Sequence, residues 1–314
     1  MALDVVLIHL GGRVPGFLRT SAAQAKAVSG RDPIVVGPVR GARMRGDRLQ
    51  RFRAGERLSD MGLGGFWRYS AERLFVLEET MRSAGIDRCL HIESDNLLYV
   101  DPGSYEAWLG DTYGDGIGVC PLTEFEDTAA IMYVGSRRAL GDLNEALLGL
   151  VEMGPQALLD AHGGPMAHEM RMLHLLRTEH GLTRALPTTV AGALAAGVGT
   201  VFDPASYGQS VDGIPSAPGI SYAGDHQEVG REIVSGNYRV VWDAQQRTPS
   251  VESRSDSTAL PLANLHIHSK RLERFTTEVR PPDPPGPPGV PARAAAAAAL
   301  YLRAARRRLK RPAR

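Results

Sequence analysis

The chain has 314 residues, 43% of them hydrophobic, which is enough to bury one large α/β core or two small ones. The formal net charge is only +1, so the chain as a whole lacks the strong positive charge of nucleic-acid binders, and we expect no nucleic-acid partner. The charge is uneven, because residues 281–314 carry +7 and the preceding residues carry −6. The body is acidic and the C-terminal tail is basic.

The cysteines and the two ends of the chain indicate the compartment. Cys89 and Cys120 lie in apolar segments, where thiols behave as small buried hydrophobic groups, and this favours a reducing environment over a disulfide framework. No basic region precedes the N-terminal segment VVLIHL, and residues 294–302 are too few to span a bilayer. We therefore expect a cytoplasmic protein.

Short apolar segments alternate with amphipathic ones along the first half of the chain, which predicts an α/β fold whose mainly parallel sheet is covered on both faces. The predicted strands are residues 4–9, 33–36, the two apolar runs on either side of 93–95, 117–120, 130–134, 184–187, 200–202, 238–242 and 262–268. The predicted helices are residues 17–28, 65–84, 137–153 and 166–180. Residues 40–57 are rich in Arg and Gly and are predicted to form a loop.

Later segments lack apolar periodicity. Residues 203–236 are predicted to be either disordered or a binding loop or lid, and residues 246–258 a mobile insertion. The sequence PPDPPGPPGVP is a semi-rigid polyproline spacer, and the Ala-rich basic segment after it is predicted to be helical. We divide the chain into a domain at 1–280, a Pro-rich linker at 281–291 and a basic tail at 292–314.

The most informative segment is IDRCLHIESDNLLYVDP, residues 86–102. One apolar run ends in Glu93, Ser94 and Asp95, and a second follows at once. Polar residues at the C-terminal end of a buried strand face the crevice where open α/β sheets bind ligands. Neighbouring carboxylates repel each other unless they share a cation or a proton, so a divalent metal with a phosphorylated ligand accounts for them. The alternative is a solvated acidic turn.

A second polar cluster is the sequence NLHIHSK, residues 264–270. In a strand, His266 and His268 lie on one face and Ile267 on the other. Imidazole can complete a coordination sphere made otherwise of oxygens, and the Lys270 ammonium can offset phosphate charge. The cluster is thus a predicted partner for a metal–phosphate group, the alternative being two exposed histidines near a strand end.

The helix predicted at 65–84 carries Tyr69 and Arg73 four residues apart, on one face. Arg73 is placed to reach a diphosphate or to brace the carboxylates that follow the helix. An ordinary salt bridge to Glu72 or Asp95 is the alternative.

The order of these segments resembles the GT-A fold of nucleotide-sugar glycosyltransferases, especially bacterial members with a glycogenin-like layout. The resemblance spans about residues 4–275 and implies a single Rossmann-like domain with a mixed, mainly parallel sheet. The matching segments are VVLIHLGGRVPGFLRTSAAQ, the Arg-bearing helix SAERLFVLEETM, the D-x-D-type segment HIESDNLLYVDP, AIMYVGS, the Glu-bearing MAHEMRMLHLL, and LHIHSK.

The resemblance implies a metal site for Mn²⁺ or Mg²⁺. Asp95 would be its principal ligand and a catalytic residue, with Glu93 assisting directly or through water or the sugar ribose. His268, or less favourably His266, would complete the site. A Glu stands at 93 where an Asp is commoner in the family, and the longer side chain changes the reach of this ligand.

The resemblance also places the nucleotide-sugar donor and the acceptor. Lys270 and Arg73 would contact the diphosphate, with Ser94 and the loop that ends at Arg13 beside the nucleotide. Glu169 would be the base for the acceptor, although the common acidic pair is replaced here by His-Glu-Met. Residues 203–209, DPASYGQ, and the loop after them would shape an acceptor pocket, in which Tyr207, Gln209, Asp225 and Trp242 contact a sugar; a Gly-rich surface loop is the alternative.

The function implied is metal-dependent transfer of a sugar from a nucleoside-diphosphate sugar to a glycan or a lipid-linked saccharide, as in polysaccharide biosynthesis. One alternative is a sugar nucleotidylyltransferase, although LGGRVPGF is a poor match to its Gly-rich basic loop. Another is a non-catalytic nucleotide- or glycan-binding protein of the same fold. The basic tail either attaches the protein peripherally to the inner face of the membrane or is a solvated extension.

Overall fold

The computed structural model describes residues 3–58, 65–164, 166–214, 217–218, 226, 228–243 and 245–278. Its strands are β1 (Asp4–Ile8), β2 (Ile34–Val36), β3 (Cys89–Glu93), β4 (Asn96–Leu98), β5 (Ile117–Pro121), β6 (Asp127–Val134), β7 (Arg184–Ala185), β8 (Gly213–Ile214), β9 (Ala217–Pro218), β10 (Tyr238–Trp242), β11 (Pro249–Ser253), β12 (Ala259–Pro261) and β13 (Asn264–His266). Its helices are α1 (Gly16–Ser29), α2 (Pro38–Arg43), α3 (Asp47–Gly55), α4 (Phe66–Ala84), α5 (Glu106–Tyr113), α6 (Arg137–Met153), α7 (Pro155–His162), α8 (Glu169–Thr178), α9 (Val190–Ala195), α10 (Ser206–Asp212) and α11 (Glu228–Val234). The predicted linker and basic tail lie outside the described residues.

The main sheet of the described chain has six strands in the order β2-β1-β3-β6-β5-β7. Strand β1 is parallel to β2 and β3, and β5 is parallel to β7, whereas β6 is antiparallel to both of its neighbours. This mixed, mainly parallel sheet confirms the predicted α/β class. Its register pairs Ile8 of β1 with Glu93 of β3, so the segments that follow these two strands leave the sheet at the same level.

The central strands are buried on both faces because successive residues enter two separate apolar layers. Leu7 belongs to the layer that includes residues of α1, β4 and β13, whereas Ile8 belongs to the layer formed with α3, α4, α6 and α8. Full burial of such a side chain contributes ~1.5–3 kcal/mol, so each strand is stabilised from two sides. The predicted free, buried thiols are confirmed, with Cys89 in the second layer and Cys120 in the first.

The prediction of a loop at residues 40–57 is wrong, because α2 and α3 occupy most of this segment. Leu49 and Phe52 are buried, and the ring of Phe52 stacks on that of Phe75 with centroids 4.8 Å apart. Several of the arginines pair with acidic residues of α4 and α6. These tertiary contacts stabilise helices in a segment whose apolar periodicity is too weak to predict them.

The prediction of a mobile insertion at residues 246–258 is also wrong. Strand β11 lies there, at the centre of a three-stranded antiparallel sheet in the order β10-β11-β12, and its Val251 is fully buried. Within residues 203–236, the structure describes the helices α10 and α11. Asp225, which was predicted to contact a sugar, lies outside the described residues. In the part of the chain that the structure describes, no helix combines the length and the apolar character needed to cross a membrane.

Candidate active site

The candidate active site lies beyond the C-terminal ends of β1 and β3. Strand β3 ends at Glu93, a tight turn carries Asp95, and the chain continues as β4. Strand β13 runs antiparallel to β4, so that His266 faces Asn96, and the Ile267 N–H donates to the Asp95 carbonyl over 2.9 Å. This pairing brings the acidic segment and the imidazole segment together although they are far apart in the sequence.

Three side chains with metal-ligand chemistry converge at this point. His266 Nε2 lies 3.2 Å from Glu93 Oε2 and 3.1 Å from Asp95 Oδ2. One ligand atom from each of the three residues lies within 4.8 Å of the others. Two carboxylate oxygens and one imidazole nitrogen are a donor set that accommodates Mn²⁺ or Mg²⁺, so the residues present fit a divalent cation.

Arg73 of α4 connects Glu93 with Glu169, the first residue of α8. Its Nη1 lies 2.6 Å from Glu93 Oε1, and its Nη2 donates to Glu169 Oε1 over 3.4 Å. Arg73 is 11% exposed, and its ion pairs are with these two acids rather than with Glu72 or Asp95. The guanidinium of Arg73 therefore holds the side chain of Glu93 from the α4 side of the sheet.

The two acids beside Arg73 respond to it differently. Burial opposes ionisation of Glu93, but the charges of Arg73, His266 and Lys270 outweigh this and lower the Glu93 pKa to about 2. Glu169 is 3% exposed, and its burial raises its pKa to about 8 despite the nearby Arg73. At neutral pH, Glu93 is ionised and Glu169 is mainly protonated.

Lys270 contacts Asp95 from the loop after β13. Its ammonium pairs with Asp95 Oδ2, and its backbone φ is +66°, a left-handed conformation that costs a non-glycine residue ~1–2 kcal/mol. Withdrawal from water and the charge of Arg73 lower the Lys270 pKa to about 8, against the charge of Glu93, which raises it. The side chain is 39% exposed, so solvent moderates this shift.

The other predicted site residues surround the cluster. The ring of His268 packs against that of His266 with centroids 4.2 Å apart and planes tilted by 31°, and the buried Nε2 of His268 has no hydrogen-bond partner among the described residues. Ser94 Oγ lies 3.0 Å from His9 Nδ1, and Arg13 is exposed on the loop between β1 and α1. His266, not the preferred His268, is thus the imidazole beside the carboxylates, and the ligand roles themselves stay predictions.

His9 is a site residue to which the sequence analysis assigned no role. It follows the last residue of β1 and reaches Ser94 in the acidic turn. A polar residue at the C-terminal end of a central parallel strand is the signal that identifies it, since such strand ends meet at the ligand-binding crevice.

A cavity of about 550 Å³ lies between the loop after β1 and helices α2, α3 and α4. Gly11 and Gly12 form part of its wall, with φ of +84° and +64°, and a Cβ at Gly11 would lie 2.6 Å from the ring of Tyr69. Bare backbone therefore faces the cavity, which permits close approach of a ligand. Arg45 and Arg68 line the cavity with positive charge.

Comparisons with known proteins give no family for this chain. No protein-family model matches it, and no curated protein matches it. It is similar to the solved structure of a glycosyltransferase involved in the glycosylation of the major capsid of PBCV-1, with 8% identity, a TM-score of 0.36, and coverage of 62% of this chain and 89% of that chain. It is also similar to mouse xyloside xylosyltransferase 1 in its apo form, with 11% identity, a TM-score of 0.38, and coverage of 59% and 85%. Both are glycosyltransferases, but similarities this weak assign no activity to the chain, so its function has to be inferred from the site.

Proposed function

We propose that the chain is a metal-dependent, GT-A-type glycosyltransferase that transfers a sugar from a nucleoside-diphosphate sugar to a glycan or a lipid-linked saccharide. The observation that carries the proposal is the convergence of Glu93, Asp95 and His266 beyond the ends of two parallel strands, with Lys270 against Asp95. The D-x-D-like order of the acids and the cavity beside the loop after β1 support it further.

Asp95, Glu93 and His266 would hold the divalent cation, and His268 is the neighbouring imidazole. A bound Mn²⁺ or Mg²⁺ supplies Lewis-acid stabilisation of the diphosphate leaving group. The chain prepares these ligands in advance, because Arg73 keeps Glu93 ionised and β13 holds His266 opposite both carboxylates. The site would thus offer the ionised carboxylate of Glu93 beside Asp95, and burial, which lowers the pKa of His266, favours the neutral imidazole that a metal ligand requires.

Lys270 is the cation that we assign to the diphosphate. Its ammonium lies against Asp95, and its side chain is exposed enough to turn towards a phosphate oxygen without disturbing the core. Fixed positive charge beside a developing negative charge lowers the barrier of the transfer. Arg73 is committed to Glu93 and Glu169, so we assign it to bracing the carboxylates instead.

We assign the nucleoside of the donor to the cavity of about 550 Å³ beside the loop after β1. That loop begins at His9, which contacts Ser94 of the acidic turn, so the loop that lines the cavity starts beside the carboxylates. Tyr69 provides an aromatic ring in this wall, and the exposed Arg13 lies on the same loop.

Glu169 remains the candidate base for the acceptor hydroxyl. A base must be ionised to accept a proton, and with a pKa of about 8 only a minor fraction of Glu169 is ionised at neutral pH. Transfer that depends on this residue should therefore become faster as the pH rises towards about 8, and slower above it as Lys270 loses its proton. The cytoplasmic location, and contact of the tail with the inner face of the membrane, stay predictions.

Hydrolysis of nucleoside-diphosphate sugars tests the proposal. The full-length chain should release nucleotide from at least one donor of a panel when Mn²⁺ is present, and chelation should abolish the release. Asp95→Asn should lower the rate roughly 10³-fold, because it removes a ligand of the divalent cation that stabilises the diphosphate leaving group. Asp111→Asn, an exposed acid on α5, should leave it unchanged.

Two outcomes separate the alternatives. Absence of hydrolysis with every donor, together with unchanged nucleotide affinity in Asp95→Asn, would show that the proposal is wrong. Nucleotide binding that needs Asp95 but leads to no hydrolysis or transfer would favour a non-catalytic binding protein with the same fold.

A further inference from the structure

Residues 203–209 are buried and partly helical, which contradicts the predicted contact of Tyr207 with a sugar. Tyr207 is fully buried, and its hydroxyl donates to the Thr188 carbonyl over 2.9 Å. Trp242 packs edge-on against Tyr99, with ring centroids 5.9 Å apart. The polar residues of this segment therefore have another role, and their contacts lead to His266.

Asp203 is a fully buried carboxylate that accepts three backbone hydrogen bonds. Its Oδ1 accepts from the Tyr207 N–H over 2.9 Å, and its Oδ2 accepts from Gly208 over 3.1 Å and from His266 over 2.9 Å. Two of the donors belong to the first turn of α10, and the third is the last residue of β13. Asp203 thereby ties α10 to the backbone of the histidine.

Gly208 permits this tie because it lacks a side chain. A Cβ at this position would overlap the carbonyl oxygen of His266 and lie 3.1 Å from its backbone nitrogen. The φ of Gly208 is outside the left-handed region, so closeness to β13 is the constraint here. Since backbone cannot turn aside as a flexible side chain does, any larger residue must displace β13.

Two buried amide side chains extend the tie to the acidic segment. Asn264 Oδ1 accepts from the Asp203 N–H over 3.0 Å, and Asn264 Nδ2 donates to Asn96 Oδ1 over 3.1 Å. Asn96 follows Asp95 directly in the chain and pairs with His266 across β4 and β13. All three polar residues of this chain of contacts are fully buried, so water does not compete for the bonds.

The ring of His266 lacks the hydrogen bond that usually orients a metal-binding imidazole. The N–H group of the second ring nitrogen of such a ligand normally donates a hydrogen bond to a carboxylate or a carbonyl. His266 Nδ1 is buried and has no hydrogen-bond partner in the described part of the chain. Apart from its contacts with Glu93 and Asp95, the direction of Nε2 therefore depends on packing against His268 and on where the backbone of β13 is held.

We propose that Asp203 and Gly208 are positioning residues for the metal site, which fix the backbone of His266 so that its Nε2 faces Glu93 and Asp95. The inference rests on the proposed metal-dependent function and adds to it two residues that touch neither metal nor substrate.

Mn²⁺ binding to the full-length chain tests the inference without any substrate. The dissociation constant of Mn²⁺ is measured together with the electron spin echo signal of a directly bound imidazole nitrogen. Asp203→Asn, which is nearly isosteric but must leave at least one N–H without its acceptor, should weaken Mn²⁺ binding about 10- to 100-fold and diminish the nitrogen signal. Gly208→Ala keeps every acceptor and should do the same by displacing β13.

Two reference variants define the scale. His266→Ala should abolish the nitrogen signal. Asp127→Asn removes an equally buried carboxylate whose partners, Arg177 and His174, belong to α8, and it should leave the signal intact even if stability falls.

The outcomes separate the inference from the function on which it rests. Wild-type protein that binds no Mn²⁺ overturns the metal-dependent function itself. Wild-type protein that gives the imidazole signal, with folded Asp203→Asn and Gly208→Ala variants of unchanged affinity and signal, overturns only the positioning role. Equal losses in these variants and in Asp127→Asn would reduce the role to general stability and also contradict the inference.

Discussion

The two sides of the candidate site are held by different means. Glu93 is held through its side chain, by a 2.6 Å ion pair with the buried guanidinium of Arg73. His266 is held through its backbone, by the hydrogen bond that its N–H donates to Asp203 and by the close contact with Gly208. The side-chain ion pair depends on the charge of Arg73, whereas the backbone tie depends on the acceptor oxygens of Asp203 and on the absence of a side chain at Gly208. Loss of the Arg73 charge should therefore disturb the first side, and loss of an Asp203 acceptor or added volume at Gly208 should disturb the second.

Removal of the Arg73 charge should produce the largest loss of stability on the Glu93 side of the site. Arg73→Met leaves the buried, ionised Glu93 without its closest cation, and we expect the free energy of unfolding to fall by about 3–5 kcal/mol at pH 7. Urea denaturation measures this loss. Arg82→Met on the same helix removes an exposed partner of Glu79 and should leave the free energy of unfolding almost unchanged, because solvent screens this ion pair. Equal losses in the two variants would contradict the bracing role.

The free energy of unfolding measured over a pH series tests the side of the site that depends on charge, because Glu169 lies beside Arg73 and titrates there. Its pKa rises from 4.5 to about 8 on folding, so between these values the folded chain binds a proton that the unfolded chain lacks. The associated stability is fully present below the lower value and is lost as the pH rises towards the upper one, with a slope of up to ~1.4 kcal/mol per pH unit. Glu169→Gln cannot ionise and should remove this slope from the stability profile. A wild-type profile that stays flat between pH 5 and about pH 8 would contradict the shift.

The smallest expected effect concerns shape in the loop after β1. Gly11 and Gly12 both have left-handed φ values, but only at Gly11 would a Cβ meet another group, the ring of Tyr69. Alanine should cost ~1 kcal/mol at Gly12 and ~1–3 kcal/mol more at Gly11, where overpacking adds to the backbone cost. Chemical denaturation of the two variants measures the difference. Equal costs would mean that Tyr69 moves aside freely.

The acidic side of the site could be predicted from the sequence, because a strand end is a local signal. Glu93 and Asp95 directly follow an apolar run, and their crevice-facing position follows from strand polarity alone. The chemistry of residues 264–270 indicated a partner segment, but strand alternation did not distinguish His266 from His268. The distinction depends on β13 ending at His266, which is set by pairing with β4.

The tie at Asp203 could not be predicted in the same way. Its hydrogen bonds go to backbone N–H groups, which every residue except proline carries and which leave no mark in the sequence. The helices at 40–57 were missed for a related reason. Helix α3 is stabilised by its buried side chains Leu49 and Phe52 and by arginines whose acidic partners lie on α4 and α6, far away in the sequence.

The two thiols provide a reporter on each face of the main sheet. Cys89 and Cys120 are fully buried in different apolar layers, and burial raises the pKa of both thiols well above the ordinary range. Alkylating reagents attack thiolates, so neither sulfur can react until its own layer opens. In variants that retain a single cysteine, the alkylation rate would therefore report how fast each apolar layer opens. Comparison of the two rates would show whether both layers open together.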